Sequence, residues 1–105
     1  MTLDQLRKNL LVQSRSIAAA AQDPETLAYI INCVNQFYSG DFGTVPDGDA
    51  LANLDAIAAG EGRALARYPA RGELTGDIYI IAYFAEDNPD NVDMNNTMIL
   101  YCDEY

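Results

Sequence analysis

The change in hydrophobic period near residue 62 constrains the fold of this chain most. Before it, apolar residues recur every three or four positions, as on one face of a helix. After it, β-branched and aromatic residues alternate with others, as in strands. Helices and strands in separate runs are typical of α+β domains. The sequence therefore predicts a single α+β domain, residues 1–105, with about three N-terminal helices packed on a three-stranded antiparallel C-terminal sheet.

Capping signals predict the first two helices. Residues 2–5, Thr-Leu-Asp-Gln, match a capping box, and the apolar pattern that follows predicts a first helix to about Ala21. Asp23 before Pro24 is an N-cap followed by proline at the first helical position. This predicts a second helix, which we expect to end at Gly40.

A third, short helix is predicted after the glycine-rich loop 40–48. We expect Asp47 or Asp49 to cap it and Gly60 and Gly62 to close it. Its apolar residues fall at helical spacing. They are Leu51, Leu54, Ile57 and Ala58.

Three strands are predicted in the second half. They are Arg63–Tyr68, Asp77–Phe84 and Thr97–Cys102. The link 69–76 contains two glycines and is typical of a loose hairpin. Residues 85–95 are too polar for a strand, and we interpret them as a solvated acidic loop rather than a calcium-binding loop.

The charge indicates the class of partner. The chain has 16 acidic and 6 basic residues and a net charge of −10. Residues 41–62 and 73–105 contain acids and no base. Direct binding to nucleic acid is disfavoured, because phosphates are bound by clustered Lys and Arg. A basic protein surface is the expected partner, and solubility alone is the plainer explanation of the charge.

The sequence also predicts where the protein works. It contains no apolar run of the length that a membrane span needs, and its N-terminus lacks the pattern of a signal peptide. We therefore predict no membrane association and a location in the cytoplasm of a bacterial host. Cys33 and Cys102 are predicted to be buried thiols in this reducing compartment.

No catalytic motif is present. The chain has no histidine, which removes the commonest general base and metal ligand. It contains no nucleophile elbow, no P-loop and no dinucleotide-binding glycine motif. We therefore predict no enzyme activity, no catalytic residue, no metal and no cofactor. A small metal-dependent hydrolase with paired carboxylates remains an alternative.

Tyrosines and acids of the second half are the predicted partner-binding residues. If Ile78 and Ile80 face the helices, Tyr79 and Tyr83 face outward, and Tyr101 is expected to share their face together with Thr97 and Ile99. Exposed tyrosines rimmed by carboxylates are typical of contact surfaces. The predicted contacts are Glu86, Asp87, Asp90, Asp93, Asp103, Glu104, Tyr79, Tyr83 and Tyr101. Arg63, Arg67 and Arg71 are predicted to pair with carboxylates across strands.

Several short motifs resemble a group of small proteins carried by phages, plasmids and integrative elements. They include residues 40–43, Gly-Asp-Phe-Gly, with Asn53 and Tyr68. The strand 78–81 and the segment 97–105 continue the match. The resemblance implies an accessory role in a mobile element. Small acidic proteins of that origin include many anti-CRISPR inhibitors, some of which resemble nucleic acid in charge.

The leading hypothesis is thus a non-enzymatic, anti-CRISPR-type inhibitor that binds a basic nucleic-acid-binding surface, such as that of a CRISPR effector. Replacing Asp87, Asp90 and Asp93 by lysine is predicted to lower the association rate and to flatten its salt dependence. A homodimeric structural or regulatory module that uses the tyrosine face is the alternative among binding proteins.

Overall fold

A computed structural model describes residues 3–7, 10–84 and 96–105. One strand lies between the first two helices, so the helices and strands do not form two separate runs. The helices are α1 (Leu3–Leu6), α2 (Arg15–Ala20), α3 (Pro24–Tyr38) and α4 (Asp47–Ala59). The strands are β1 (Leu10–Gln13), β2 (Arg63–Tyr68), β3 (Ile78–Tyr83) and β4 (Asn96–Tyr101), and a 3₁₀ turn covers Cys102–Glu104.

The strands form one mixed, four-stranded sheet in the order β1-β4-β3-β2. β2, β3 and β4 are antiparallel neighbours, whereas β1 lies parallel to β4. The α+β class agrees with the prediction. The prediction of a three-stranded antiparallel sheet is wrong, because a fourth strand comes from the N-terminal region.

That fourth strand interrupts the predicted first helix. Instead of one helix to Ala21, the chain forms the single turn α1, the strand β1 and the helix α2. A short apolar run such as Leu10-Leu-Val fits a helix or a strand equally well by its period. Because this run pairs with β4, it forms a strand, and α2 begins directly after Ser14. The Ser14 backbone N–H donates to the Ile99 carbonyl (2.9 Å) and its hydroxyl accepts from the Ile17 N–H (3.2 Å).

α3 begins as predicted. The Asp23 carboxylate accepts hydrogen bonds from the backbone N–H (3.0 Å) and the hydroxyl (2.7 Å) of Thr26. Pro24 occupies the first helical position. The helix ends at Tyr38, and Gly40 follows with a positive φ of 84°.

The core lies between the helices and one face of the sheet. On that face Ile80 of β3 lies between Ala66 of β2 and Ile99 of β4. These residues are buried, as are Ile17 of α2 and Phe37 of α3. Burying each large apolar side chain contributes about 1.5–3 kcal/mol, so this layer holds the helices on the sheet.

The two cysteines differ in burial. Cys33 of α3 is a buried free thiol, as predicted, whereas Cys102 at the end of β4 is a half-buried free thiol. Burial raises the pKa of both thiols above the ordinary value. Among the described residues, no helix has both the length and the apolar character that a membrane crossing requires.

Candidate protein-binding surface on helix α4

One buried polar side chain orients α4. Asn53 is 6% exposed and lies against Leu65 of β2, which is an edge strand. Its amide nitrogen donates to the Leu65 carbonyl (2.7 Å), and the Leu65 N–H donates to its Oδ1 (3.0 Å). Each of these hydrogen bonds stabilises the contact by about 1 kcal/mol, and leaving one unmade would cost more. The pair fixes which side of α4 faces the sheet.

The orientation of α4 leaves two leucines in solvent. Leu51 is 65% exposed and Leu54 is 42% exposed, whereas Ile57 is buried. Ala58 is also exposed. Of the four apolar positions only Ile57 faces the core, because Asn53 takes the central inward position. Positions 51, 54 and 58 have the spacing of a single helical stripe, so α4 presents an apolar stripe to solvent.

Carboxylates border this stripe. Asp47 begins the helix one turn before Leu51, and Asp55 follows one turn after it, and both acids are exposed. The predicted capping aspartate is not found: Pro46 holds the N-cap position, and no side chain caps the helix. Instead, Asp47 and Asp49 lie in the first turn, where the helix dipole favours negative charge.

We define the α4 surface as Asp47, Leu51, Leu54, Asp55 and Ala58. Within the described part of the chain, no ion pair neutralises its two carboxylates. The α4 surface thus combines two exposed leucines with two carboxylates, which makes it a candidate contact surface.

A groove of about 330 Å³ separates the other flank of α4 from β2. Asp49 and Arg63 contribute its charged groups, and Leu65 its apolar wall. The Arg63 guanidinium lies 5.1 Å from the centre of the Tyr105 ring. Tyr105 in turn packs edge-to-face on Tyr79, with ring centres 5.7 Å apart. The Arg63 side chain therefore lies on the side of the sheet that carries Tyr79.

The three arginines near β2 use different partners. Arg67 forms an ion pair with Asp77 (2.9 Å), as predicted. Its hydrogen bonds, together with the Ala70 N–H, lower the pKa of the Asp77 carboxyl. Arg63 and Arg71 lie over tyrosine rings instead, Arg71 at 5.1 Å from the ring centre of Tyr29. Among the residues that the structure describes, these two arginines contact tyrosine rings and show no ion pair with a carboxylate.

The predicted tyrosine face is not an open sheet face. Tyr79 and Tyr83 lie on the side away from the helices, as predicted, but both are half-buried. Ile81 between them is completely buried. The face therefore offers less apolar area than the alternation alone suggests.

Tyr101 lies on the other face of the sheet, which corrects the prediction that it joins Tyr79. The register places Ile99 opposite Ile80, so Ile99 and Tyr101 face the helices. Tyr101 is buried there, and its hydroxyl accepts a hydrogen bond from the Thr75 N–H (3.4 Å). Thr97 shares that face and is buried too.

The predicted acidic contacts also fall in different places. Glu104 is tied into the fold, because its Oε1 accepts from the Tyr101 N–H (2.8 Å) and the Ser14 hydroxyl (2.9 Å). Asp103 beside it is exposed. The other four predicted contacts, Glu86, Asp87, Asp90 and Asp93, lie outside the described residues.

A second, shallow groove of about 420 Å³ bears on the hydrolase alternative. It is lined by two carboxylates, Asp23 and Glu73, and by the end of β4 at Tyr101. The Asp23 carboxylate is already engaged as the N-cap of α3. In the described ranges no three Cys, Asp or Glu side chains lie close enough to hold a metal ion.

Comparisons with protein-family models, with curated proteins and with solved structures find no match to this chain. The resemblance to proteins of mobile elements therefore stays a prediction.

Sequence reasoning missed the α4 surface because apolar spacing alone does not show which of the four apolar residues of the helix face the core. Asn53 was the available signal. A polar side chain in the middle of an apolar helix needs a hydrogen-bond partner when it is buried. An amide facing an unpaired strand edge has such a partner, and the leucines on the other side are then left in solvent.

Proposed function

We propose that this protein is a non-enzymatic inhibitor that docks through the α4 surface on a basic, nucleic-acid-binding surface of a host protein. The anti-CRISPR type of inhibitor, acting on a CRISPR effector, is the specific form of this proposal. The observation that supports it is the exposure of Leu51 and Leu54 between the carboxylates of Asp47 and Asp55.

Charge and apolar contact have separate roles in this proposal. The net charge of −10 attracts a basic surface over a distance and raises the rate of encounter. The carboxylates of Asp47 and Asp55 take positions that phosphates of nucleic acid would otherwise occupy. Leu51 and Leu54 become buried on contact and determine how slowly the complex dissociates.

Capture from a lysate, followed by a competition assay with the purified partner, tests the proposal. The immobilised chain is exposed to a bacterial host lysate at low and at high salt, and captured proteins are identified and purified. We expect a basic nucleic-acid-binding protein whose capture weakens as salt rises. Added to the purified partner, the chain should displace nucleic acid in a competition assay.

Matched variants separate the two roles. Asp47→Lys with Asp55→Lys should slow association, and Leu51→Lys should speed dissociation. Glu25→Lys with Glu73→Lys changes the same total charge at exposed sites outside α4. If this control weakens binding as much as the α4 pair does, total charge and not the α4 surface recognises the partner. A partner that keeps its nucleic acid at saturation would contradict inhibition by displacement.

A further inference from the structure

The β2 edge directs backbone groups out of the sheet at every second residue. The Leu65 N–H and C=O both bond to Asn53, outside the sheet. Outward and inward groups alternate along a strand of an antiparallel ladder. Arg63 precedes Leu65 by two residues, so its N–H and C=O also point outward. Gly62 agrees with this alternation, because its carbonyl accepts from the Phe84 N–H (3.2 Å) on the inward side.

The outward positions of β2 differ in their partners. At Arg67, a short extended stretch of this chain pairs with the strand: the Phe42 carbonyl accepts from the Arg67 N–H (3.1 Å), and the Thr44 N–H donates to the Arg67 carbonyl (2.9 Å). At Leu65, a side-chain amide does the same. The described residues supply no hydrogen bond to the outward N–H and C=O of Arg63. One amide-sized position on the edge therefore stays open.

The groove of about 330 Å³ between β2 and α4 lies at this open position. It is lined by Arg63 and Leu65 from the strand and by Asp49, Ala52 and Asn53 from the helix. Ligand sites begin at about 300 Å³, so the groove holds a short stretch of chain and not a long peptide.

The charges of the groove favour a basic occupant. Asp49 is exposed and forms no ion pair among the described residues. The Arg63 guanidinium lies 5.1 Å from the centre of the Tyr105 ring. α4 itself contains no basic residue. An ammonium or guanidinium group that enters the groove therefore meets a carboxylate that no cation of the described chain occupies, and the net charge of −10 attracts it.

We propose that this groove binds an extended, basic segment of another protein, which forms a single β-bridge with Arg63 and places a lysine or arginine beside Asp49. A carbonyl of the segment accepts from the Arg63 N–H, and an N–H of the segment donates to the Arg63 carbonyl, as residues 42–44 do at Arg67. Asn53 fills the next outward position and stops the pairing after one bridge. The groove thus takes the shortest form of strand addition to a sheet edge.

Amide hydrogen exchange of the free protein tests whether the edge position is open. The Arg63 amide should exchange at least tenfold faster than the amides of Leu65 and Arg67, which are both hydrogen-bonded. An Arg63 amide that exchanges as slowly as these two would mean that the chain itself covers this position. That result would overturn the proposal.

Titration with a capped tripeptide, acetyl-Ala-Lys-Ala-amide, tests binding directly. We expect a saturable change in the NMR shift of the Arg63 amide, with a Kd of about 1 mM, and slower exchange of this amide. The same peptide with glutamate in place of lysine is the control and should bind at least tenfold more weakly. Absence of a saturable shift up to about 10 mM, or equal binding of both peptides, would contradict the proposal.

Matched variants test the two contacts separately. Asp49→Asn should lower the affinity for the lysine peptide at least fivefold, whereas Asp55→Asn removes the same charge from the α4 surface and should leave it unchanged. Arg63→Pro removes the outward N–H at the first residue of the strand, and Arg63→Ala keeps it. Only the proline variant, shown by circular dichroism to be folded, should lose binding. Equal losses in both Arg63 variants would mean that the guanidinium and not the backbone holds the peptide.

The inference does not depend on the proposed function, because the groove and the α4 surface lie on different flanks of the helix. Leu51→Lys should weaken capture of the nucleic-acid-binding partner and leave binding of the lysine peptide unchanged. Loss of peptide binding in Leu51→Lys would contradict a separate site in the groove. Capture that persists in Leu51→Lys would contradict the proposed function alone.

Discussion

The two edge strands of the sheet, β2 and β1, differ in how the described residues bond to their outward backbone groups. At the β2 edge, the outward backbone groups of Leu65 bond to Asn53, and those of Arg67 bond to the Phe42 carbonyl (3.1 Å) and the Thr44 N–H (2.9 Å). At the β1 edge, the outward groups of Leu11 have no such cover among the described residues.

The difference shows how closing an edge affects a distant surface. Covering β2 with the amide of Asn53 sets the rotation of α4, and that rotation leaves Leu51 and Leu54 in solvent. The same interaction that prevents pairing at one edge therefore creates the proposed contact surface. At β1, the described residues show no corresponding cover, so no helix is oriented by that edge in the described part of the chain.

The largest predicted effect comes from Gly43→Ala, which would disrupt the cover of the β2 edge. Gly43 has a φ of 72°, and an added Cβ would collide with the Arg67 carbonyl oxygen. We expect a loss of about 3–5 kcal/mol in the free energy of unfolding, measured by urea denaturation. Gly48→Ala, in open space on α4, is the control and should stabilise by up to about 1 kcal/mol. A loss below about 1 kcal/mol for Gly43→Ala would refute this account of the cover.

A pair of proline substitutions compares the edges directly. Leu65→Pro removes an outward N–H that bonds to Asn53, and we expect it to lower the free energy of unfolding by about 3 kcal/mol. Gln13→Pro removes an outward N–H of β1 and should cost less than about 1 kcal/mol. Thermal and urea unfolding of both variants measure the difference. Equal losses would mean that the edges are equally protected.

Asn53→Leu tests the link between the edge and α4. It removes both side-chain hydrogen bonds and leaves the Leu65 groups unsatisfied, so we expect a loss of about 2–3 kcal/mol. Asn32→Leu is the control, because Asn32 is exposed on α3, and should change stability by less than about 0.5 kcal/mol. Capture of the partner should also weaken, since α4 is no longer held in one rotation. A stable variant with unchanged capture would show that Asn53 does not orient the helix.

The smallest effect is expected at the exposed ion pair beside the β2 edge. Hydrogen bonds from Arg67 lower the pKa of the Asp77 carboxyl in the folded protein. Ionised Asp77 therefore stabilises the fold at any pH above its unfolded pKa of about 3.9. This stabilisation is lost as the pH falls through the pKa of Asp77 in the folded protein. Asp77→Asn should therefore make the loss of stability in acid less steep. Unfolding measured between about pH 2 and pH 5 at low salt checks this. Asp55→Asn, on α4, removes an exposed carboxyl outside the Arg67–Asp77 pair and is the control. A slope as shallow in this control as in Asp77→Asn would argue against the Asp77 assignment.

Local signals account for the parts of the fold that were predicted. The start of α3 was found because Asp23 and Pro24 act within one helical turn. β2 was found with its bounds, Arg63–Tyr68, because alternation and Pro69 define it locally. β3 and β4 differ from their predicted ends by only one residue.

The candidate site was harder to predict because its residues depend on contacts that are distant in sequence. Tyr79 and Tyr83 were placed on the correct face by strand alternation, but Tyr101 was not. Its face depends on the register between β3 and β4, and the polar sequence 85–95 does not determine that register. The exposure of Leu51 was not predicted for a similar reason, since Asn53 and its partner lie twelve residues apart.

By itself, the sequence determined the positions of α3, β2, β3 and β4 and the excess of negative charge, because turns, caps and alternation act between near neighbours. The tertiary structure alone decided that Leu10–Gln13 is a strand and that α4 turns its leucines outward. Both depend on backbone groups of distant strands: β4 offers a free edge to β1, and β2 offers one to Asn53. A buried hydrogen bond left unmade costs as much as the burial of a leucine gains, so the need for such partners can override an apolar pattern.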